Sequence, residues 1–289
     1  MAFADGPVYT LEWLVDRTST VYSLPLFYDR LNEAINHPRS SIDDIARIIT
    51  EDQGLTARLL RLANSPLFGW FGKVDSINKA VTIIGTQQLR DLALAASVMG
   101  VFKDIPAELL NMASFWRHSV ACGIIARALA TWRRETNVER FFVAGILHDV
   151  GQLMMATTIP PVVMEMIEQS RASNRPYHLT EEERLGFDHA AAGGALLRSW
   201  KIPANIADPV EFHHQPSRTE QFPLDTAIIH LSEIICLAME YGQTGEYFIP
   251  DLDPLAWERL GMPPHQLGTI IRQIEPQLEE TFSILAEGQ

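Results

Sequence analysis

The chain is short of basic residues, which limits the partners that it can attract. It has 23 Lys and Arg residues against 36 Asp and Glu residues in 289 positions, a formal net charge of −13 at pH 7. Nucleic acids and anionic membrane surfaces are usually bound through basic patches, so this balance opposes both kinds of contact. We therefore expect neither DNA nor a membrane as a partner, although a local basic groove would escape this argument.

Long apolar runs and targeting signals are also missing, and cysteine is scarce. No apolar run reaches the roughly 18 residues that a membrane-spanning helix needs. Residues 1–6 have neither the basic start nor the apolar core of a signal peptide. The two cysteines, Cys122 and Cys236, stand in apolar helical patterns and are predicted to be buried free thiols. Together these features predict a cytoplasmic protein.

No segment shows the apolar–polar alternation of a half-buried strand, and helical spacing runs through nearly the whole chain. After a predicted N-cap at Ser41, for example, Ile42, Ile45, Ile48 and Ile49 mark one helical face. The sequence therefore predicts an all-α fold. With 47 % hydrophobic residues, the chain can bury a sizeable core.

A break at residues 103–106 is the predicted boundary between two helical halves. We divide the chain into an N-terminal extension (residues 1–21), an N-terminal helical subdomain (22–104) and a second helical subdomain with C-terminal helices (105–289). The second half is predicted to begin with a long helix from Pro106 to about Arg134.

An adjacent histidine and aspartate, His148 and Asp149, stand inside an apolar run that is bracketed by Gly145 and Gly151. Burying both side chains is costly unless each has a hydrogen-bond partner, an opposite charge or a metal. The pattern predicts one helix over residues 137–156, on which neighbouring side chains diverge by about 100°. Both can reach one metal region only if the helix passes it closely, which the glycines would permit.

Further histidines and a carboxylate stand where burial is expected. They begin apolar helix faces, form a doublet at a helix end, or interrupt an apolar run. With the central pair, the candidate metal ligands are His118, His148, Asp149, His189, His213, His214 and Glu233. This donor set suits iron, manganese or zinc better than magnesium, at one or two ions. A hydrogen-bonded core network without metal is the alternative.

The remaining histidines show weaker signals. His37, His178 and His265 stand in polar or turn-like contexts, and nothing beside His230 suggests a ligand set. None of these four is predicted to take part in the site.

The order and spacing of several short stretches resemble the HDOD family, a divergent group of the HD superfamily found in bacterial signalling proteins. The resemblance covers residues 20–240. The stretches that carry it are residues 24–25, 52–56, 62–65, 77–80, 84–85, 115–119, 145–151, 183–194, 200–203 and 213–214. The resemblance implies an N-terminal helical bundle packed on an HD-like helical core. It also implies a role in signal transduction, and most HDOD domains are regarded as non-enzymatic.

The chain is also similar to the catalytic HD-GYP phosphodiesterases. The positions at which those enzymes bind two metals are matched by His118, His148, Asp149, His189, His213 and His214. Glu233 stands where a final aspartate would be expected. Other positions depart from the enzymes: Gln152 replaces a lysine, Ser114 replaces a frequent glutamate ligand, and no Gly-Tyr-Pro motif follows His214. The ligand set is thus mostly kept, whereas the substrate apparatus is mostly lost.

Two functions follow from this combination. The first is a regulatory module with a retained divalent-metal site that acts through a signalling protein partner. The alternative is a metal-dependent phosphohydrolase acting on nucleotides or cyclic di-GMP, with Gln152, Arg117 and Arg218 as substrate contacts. The sequence assigns no catalytic residue, and whether the protein is an enzyme stays open.

Overall fold

A computed structural model describes residues 9–21, 26–66, 72–102 and 105–286. Within these ranges all regular secondary structure is helical, which confirms the all-α prediction. The first six helices precede the HD-like half. Their bounds are α1 Leu11–Val21, α2 Leu26–Asn36, α3 Ile42–Thr50, α4 Gln53–Ala63, α5 Ile77–Ile84 and α6 Thr86–Val101.

The second half contains the long helix α7 and the shorter helices around it. Their bounds are α7 Met112–Arg133, α8 Glu139–Leu147, α9 Val150–Thr158, α10 Pro160–Ser173, α11 Tyr177–Leu185, α12 His189–Ser199, α13 Ala204–Glu211, α14 Pro223–Ala238, α15 Pro254–Leu260 and α16 Pro264–Ala286. A short 3₁₀ turn, Pro216–Arg218, lies between α13 and α14.

Helices α2 to α6 pack on one another, and α6 packs against α8 to join the two halves. Helix α1 lies on α9 and α12 of the second half, while α16 contacts both α7 and α4. Helix α1 therefore packs on the HD-like half, and α16 connects that half to α4 of the N-terminal bundle. Residues 22–25, which include Leu24-Pro25, and residues 103–104 lie outside the described residues. The proposed domain division thus remains a prediction.

Local capping explains where two of the helices begin. Ser41 accepts a hydrogen bond from the Asp44 amide, and the Asp44 side chain accepts one in return, so the predicted N-cap of α3 is confirmed. The predicted start of the long helix at Pro106 is wrong. The amides of Leu109 and Leu110 close a turn on the Pro106 carbonyl, and Asn111 then caps α7.

The predicted single helix over residues 137–156 is divided at the His-Asp pair. Helix α8 ends at Leu147 and α9 begins at Val150, with Asp149 at φ −97° and ψ 12° between them. This break removes the fixed angle between neighbouring helical side chains. Both His148 and Asp149 can therefore face the same buried region.

The two glycines around the break allow neighbouring backbones to approach. A Cβ on Gly151 would lie 2.0 Å from the His189 carbonyl oxygen and 2.7 Å from the Gly193 amide nitrogen. A Cβ on Gly145 would lie 2.6 Å from the Gly123 Cα. The close packing of α9 on α12, which places His189 beside Asp149, thus depends on glycine.

Replacing Gly151 tests this dependence. We expect Gly151→Ala to lower the free energy of unfolding by at least about 2 kcal/mol, because the added methyl group meets backbone atoms that cannot turn away. Urea denaturation would measure the change. Gly268→Ala is the matched control: its Cβ would have only ordinary contact with the Arg272 side chain. It should stabilise α16 by roughly 0.5–1 kcal/mol. Equal effects of the two substitutions would contradict the packing argument.

Candidate metal centre

The seven candidate ligands come from five places in the HD-like half and meet in one buried cluster. His118 lies in the middle of α7, His148 and Asp149 occupy the α8–α9 break, and His189 opens α12. The remaining members follow α13 or lie on α14; they are His213, His214 and Glu233. All seven side chains are at most 4 % exposed.

The carboxylate of Asp149 lies at the centre of this cluster. Its Oδ1 atom is 3.1 Å from His189 Nε2 and 4.0 Å from His213 Nε2. Its Oδ2 atom is 3.3 Å from His148 Nε2 and 3.9 Å from His118 Nε2. The two oxygens therefore face two different groups of histidines, as expected of a carboxylate that can serve two neighbouring metal positions.

A second carboxylate, that of Glu233, completes the cluster on the α14 side. Its Oε2 atom is 3.4 Å from His213 Nε2 and 3.9 Å from His214 Nε2. Two sets of donor atoms each lie within 4.8 Å of one another. They are His189, His213 and His214, and His148, Asp149, His213 and Glu233. His118 is outside both sets.

The histidines are oriented by acceptors on their outer nitrogen atoms. The Nδ1 atoms of His148 and His213 lie 2.7 Å from the Gly145 and Val210 carbonyl oxygens, respectively. An Nδ1–H that donates outward leaves the Nε2 lone pair of the neutral ring facing the cluster centre. Backbone carbonyl groups therefore fix the orientation of these two rings.

Two buried carboxylates orient the rings of His189 and His214. Glu181 Oε2 accepts from the amide of His189 at 2.9 Å and lies 2.5 Å from His189 Nδ1. Asp188 Oδ2 lies 2.8 Å from His214 Nδ1, while its other oxygen caps α12 by accepting from the Ala191 amide. Such outer carboxylates raise the basicity of metal-binding histidines and hold them in place.

Unpartnered atoms inside the cluster fit a bound cation. Among the described residues, three buried nitrogen atoms have no hydrogen-bond partner and point into it; they are the Nε2 atoms of His118, His213 and His214. Leaving such atoms unsatisfied is costly, and native proteins rarely do so. Imidazole and carboxylate donors suit iron, manganese or zinc.

Burial and neighbouring charges divide the histidines into two kinds. Burial, with help from His148, lowers the pKa of His118 to about 4. Burial and the neighbouring histidines hold the pKa values of His213 and His214 well below the usual value. These three rings are therefore neutral at pH 7, with lone pairs available to a metal.

The other two rings carry protons when no metal is bound. Although burial acts in the opposite direction, Asp149 raises the pKa of His148, and Glu181 with Asp149 raises that of His189. Burial raises the pKa of the Glu233 carboxyl to about 7. The metal-free cluster thus holds positive charge on two imidazoles, in the place where a cation would bind.

Metal binding should consequently release protons. A cation must displace the protons of His148 and His189 and the proton that the Glu233 carboxyl, with a pKa of about 7, carries in part of the molecules, so we expect about two to three protons to leave on metal loading near pH 7. Because the raised pKa values make deprotonation harder at low pH, metal affinity should fall as the pH falls. Calorimetric titrations in buffers of different ionisation enthalpy would count the protons. Affinity that is independent of pH between 6 and 8 would contradict this charge assignment.

A carboxylate-to-amide substitution tests the outer carboxylates. We expect Glu181→Gln to weaken metal binding by about 10- to 100-fold, because an amide is a weaker acceptor for His189 Nδ1–H. Competition with a coloured chelator would measure the affinity. Glu183→Gln is the matched control on the same helix, since Glu183 is half-exposed and pairs with Arg175. The assignment of Glu181 is wrong if both variants bind metal as the wild type does.

The proposed substrate contacts are not placed together. Gln152 is buried, and its Nε2 atom lies 3.4 Å from His189 Nε2. Arg117 instead pairs with Glu279 and lies over the Phe282 ring on α16. Arg218 is exposed and bonds to the Gln215 side chain. The polar groups that contact the seven candidate ligands are imidazoles, carboxylates, backbone carbonyl groups, Gln152 and Cys236.

The sequence interpretation missed residues around the centre. The His178 ring stacks on His214 at a centroid distance of 4.2 Å, a contact that its polar sequence context does not predict. His230 is buried, and its Nδ1 atom lies 2.7 Å from the His213 carbonyl oxygen. Glu181 stands in a charged stretch that is typical of solvent-exposed helices. Only Asp188, which precedes His189 directly, offered a signal in the sequence.

Both cysteines adjoin this centre. Cys122 and Cys236 are free and buried, as predicted. Cys236 Sγ lies 3.4 Å from His118 Nδ1.

Within the described part of the chain, no helix combines the length and the apolar character required to cross a membrane.

Comparison with known proteins connects the chain to a family and to solved structures. A family model of the HDOD domain matches residues 21–216. A proposed phosphohydrolase from Shewanella amazonensis SB2B has a similar structure, with a TM-score of 0.75 and 26 % identity over 94 % of this chain and 97 % of its own. An HDOD domain protein of unknown function from Geobacter sulfurreducens has a TM-score of 0.74 and 23 % identity, covering 96 % and 98 % of the two chains.

A relative from Treponema pallidum (strain Nichols), an uncharacterized protein, is 25 % identical over 211 residues. The alignment covers 72 % of this chain and 40 % of that relative. The matched region therefore spans less than half of the relative's length.

Proposed function

Because the chain belongs to the HDOD domain family, we propose that it is a regulatory module of signal transduction that acts through a protein partner. In this proposal it keeps the HD metal centre as a structural or sensory element. The metal is iron, manganese or zinc, at one or two ions, held by the seven candidate ligands. The buried free thiols fit a reducing compartment, and we place the module in the cytoplasm.

The closed setting of the centre carries this proposal. The ligand side chains are at most 4 % exposed, and the polar groups that contact them are imidazoles, carboxylates, backbone carbonyl groups, Gln152 and Cys236. A phosphoryl substrate needs cationic or hydrogen-bonding groups at the position where charge develops. Gln152, where the phosphodiesterases have a lysine, supplies an amide but no charge.

The pocket beside Gln152 also opposes an anionic substrate, because its volume of about 10 Å³ holds little more than one water molecule. Its walls include Leu109, Val163 and Ile167, and its polar lining beside Gln152 comes from Tyr177 and Thr244. An apolar wall offers a phosphate no compensation for the water that it would lose. The pocket therefore does not favour a nucleotide.

The alternative function is a metal-dependent phosphohydrolase acting on a nucleotide or a cyclic dinucleotide. One observation favours it: the two oxygens of Asp149 face separate groups of histidines, an arrangement suited to two metal ions. Bound metal would lower the pKa of a water molecule towards neutrality. The residues of the chain would hold the ions through Asp149 and orient the rings through Glu181 and Asp188. The similar Shewanella protein, described as a proposed phosphohydrolase, gives this alternative further support.

An activity assay separates the two functions. We expect the metal-loaded wild type to hydrolyse neither cyclic di-GMP nor bis(4-nitrophenyl) phosphate above the rate of metal-stripped protein, because the ligand side chains are buried and Gln152 stands where the phosphodiesterases have a lysine. Chromatography of the products and absorbance would follow the two reactions. Hydrolysis that disappears in Asp149→Ala, and persists in the surface control Asp251→Ala, would favour the enzyme instead.

A further inference from the structure

The outer nitrogen atom of His118 has a different partner from those of the other four histidines in the centre. Carbonyl or carboxylate oxygen atoms lie 2.5–2.8 Å from the Nδ1 atoms of these four rings, which are His148, His189, His213 and His214. The Nδ1 atom of His118 instead lies 3.4 Å from the Sγ atom of Cys236. A cysteine thus stands behind this ring, where an oxygen acceptor stands behind each of the others.

Cys236 reaches His118 through the packing of two helices. Both side chains are fully buried, and α14, which carries Cys236, packs against α7, which carries His118. Cys236 follows Glu233 by three positions on α14, so the two side chains lie on the same face of this helix. One helix therefore carries a candidate ligand and also contacts a second one.

The acceptors around Cys236 indicate the direction of the hydrogen bond to His118. The thiol lies 3.6 Å from the His118 carbonyl oxygen and 3.5 Å from the Tyr241 carbonyl oxygen, and it can donate its proton to either. A sulfur lone pair then faces the His118 ring and can accept from Nδ1–H, although sulfur is a weak acceptor. The Tyr241 backbone is a further hydrogen-bond partner of this ring.

The opposite direction is unfavourable. A thiol that donated to Nδ1 would leave the single proton of the neutral ring on Nε2, an atom that has no hydrogen-bond partner among the described residues. The Oδ2 atom of Asp149 is 3.9 Å away, which is too far for a hydrogen bond. A proton on Nδ1 instead leaves the Nε2 lone pair directed into the centre, and this is the form of the ring that can bind a metal there.

We propose that Cys236 is a positioning residue of the metal centre, whose sulfur atom holds the proton of the His118 ring on Nδ1 and thereby presents Nε2 to the metal. The inference rests on the proposed function, because it assigns Cys236 a role in the metal binding of that module. The buried and otherwise unpartnered Nε2 atom of His118 supports it independently of the thiol.

Nuclear magnetic resonance of the full chain without metal tests the position of this proton. Isotopically labelled histidine reports which ring nitrogen is protonated, and His118→Gln identifies the signals of the ring. We expect the wild type to carry the proton on Nδ1 at pH 7. Cys236→Ala should show a mixture of both tautomers, because one acceptor of Nδ1–H is lost. A wild-type ring protonated on Nε2 overturns the inference, and so does an identical tautomer population in the two proteins.

Zinc affinity, measured by competition with a coloured chelator, tests the consequence for metal binding. We expect Cys236→Ala to weaken zinc binding about tenfold, at the lower end of the usual effect of an outer partner, because the Tyr241 backbone remains. Ser232→Ala is the matched control on α14. The Ser232 side chain is fully buried and donates to the Ile228 carbonyl oxygen, so this variant should bind zinc as the wild type does.

Serine at the same position separates hydrogen bonding from packing. Cys236→Ser should recover most of the lost zinc affinity, since its hydroxyl oxygen can accept from Nδ1–H. A role in packing alone predicts the reverse order, because a buried hydroxyl group is less favourable than the methyl group of alanine. Weaker zinc binding by Cys236→Ser than by Cys236→Ala would therefore overturn the positioning role.

The two measurements also separate this inference from the proposed function. If the wild type binds zinc and Cys236→Ala binds it equally well, only the role of Cys236 is wrong. If the wild type takes up no zinc, the proposed metal centre fails, and a role of Cys236 in metal binding fails with it.

Discussion

The burial of Asp149 is the constraint on which the HD-like half depends. Its carboxylate is fully buried, and its ion-pair partners among the described residues are four histidines: His118, His148, His189 and His213. Without metal, protons on His148 and His189 supply the compensating charge; with metal, the cation does. The helix break, the glycine contacts and the outer carboxylates all serve to bring the imidazole rings around this one side chain.

The same arrangement separates metal binding from phosphate chemistry. Histidine and carboxylate donors can bind a cation and thereby stabilise the fold even where the residues that would contact a phosphate substrate are absent. Gln152 Nε2 lies 3.4 Å from His189 Nε2 and offers an amide but no charge. In the proposed regulatory module, the buried centre would stabilise the fold rather than take part in a reaction.

Much of this could be predicted from the sequence, because the ligand types stand in apolar helical patterns that reveal burial. The division of the helix at His148 could not, since residues 137–156 keep helical spacing across the break. The role of Glu181 could not be predicted, because its sequence neighbours are charged and only the fold brings its side chain to His189. The contacts of His178 with His214 and of His230 with His213 were missed for a related reason: the partners lie far apart in the chain, and periodicity describes local structure alone.

Metal content is the measurement that tests the account most directly. Untagged protein, purified without chelator and reconstituted anaerobically, should contain about one or two equivalents of iron, manganese or zinc per chain by elemental analysis. Asp149→Ala should lose most of that metal and, with it, the thermal stabilisation that the metal provides. A wild type that remains metal-free after reconstitution would contradict the account and leave the buried histidines as a hydrogen-bonded core network.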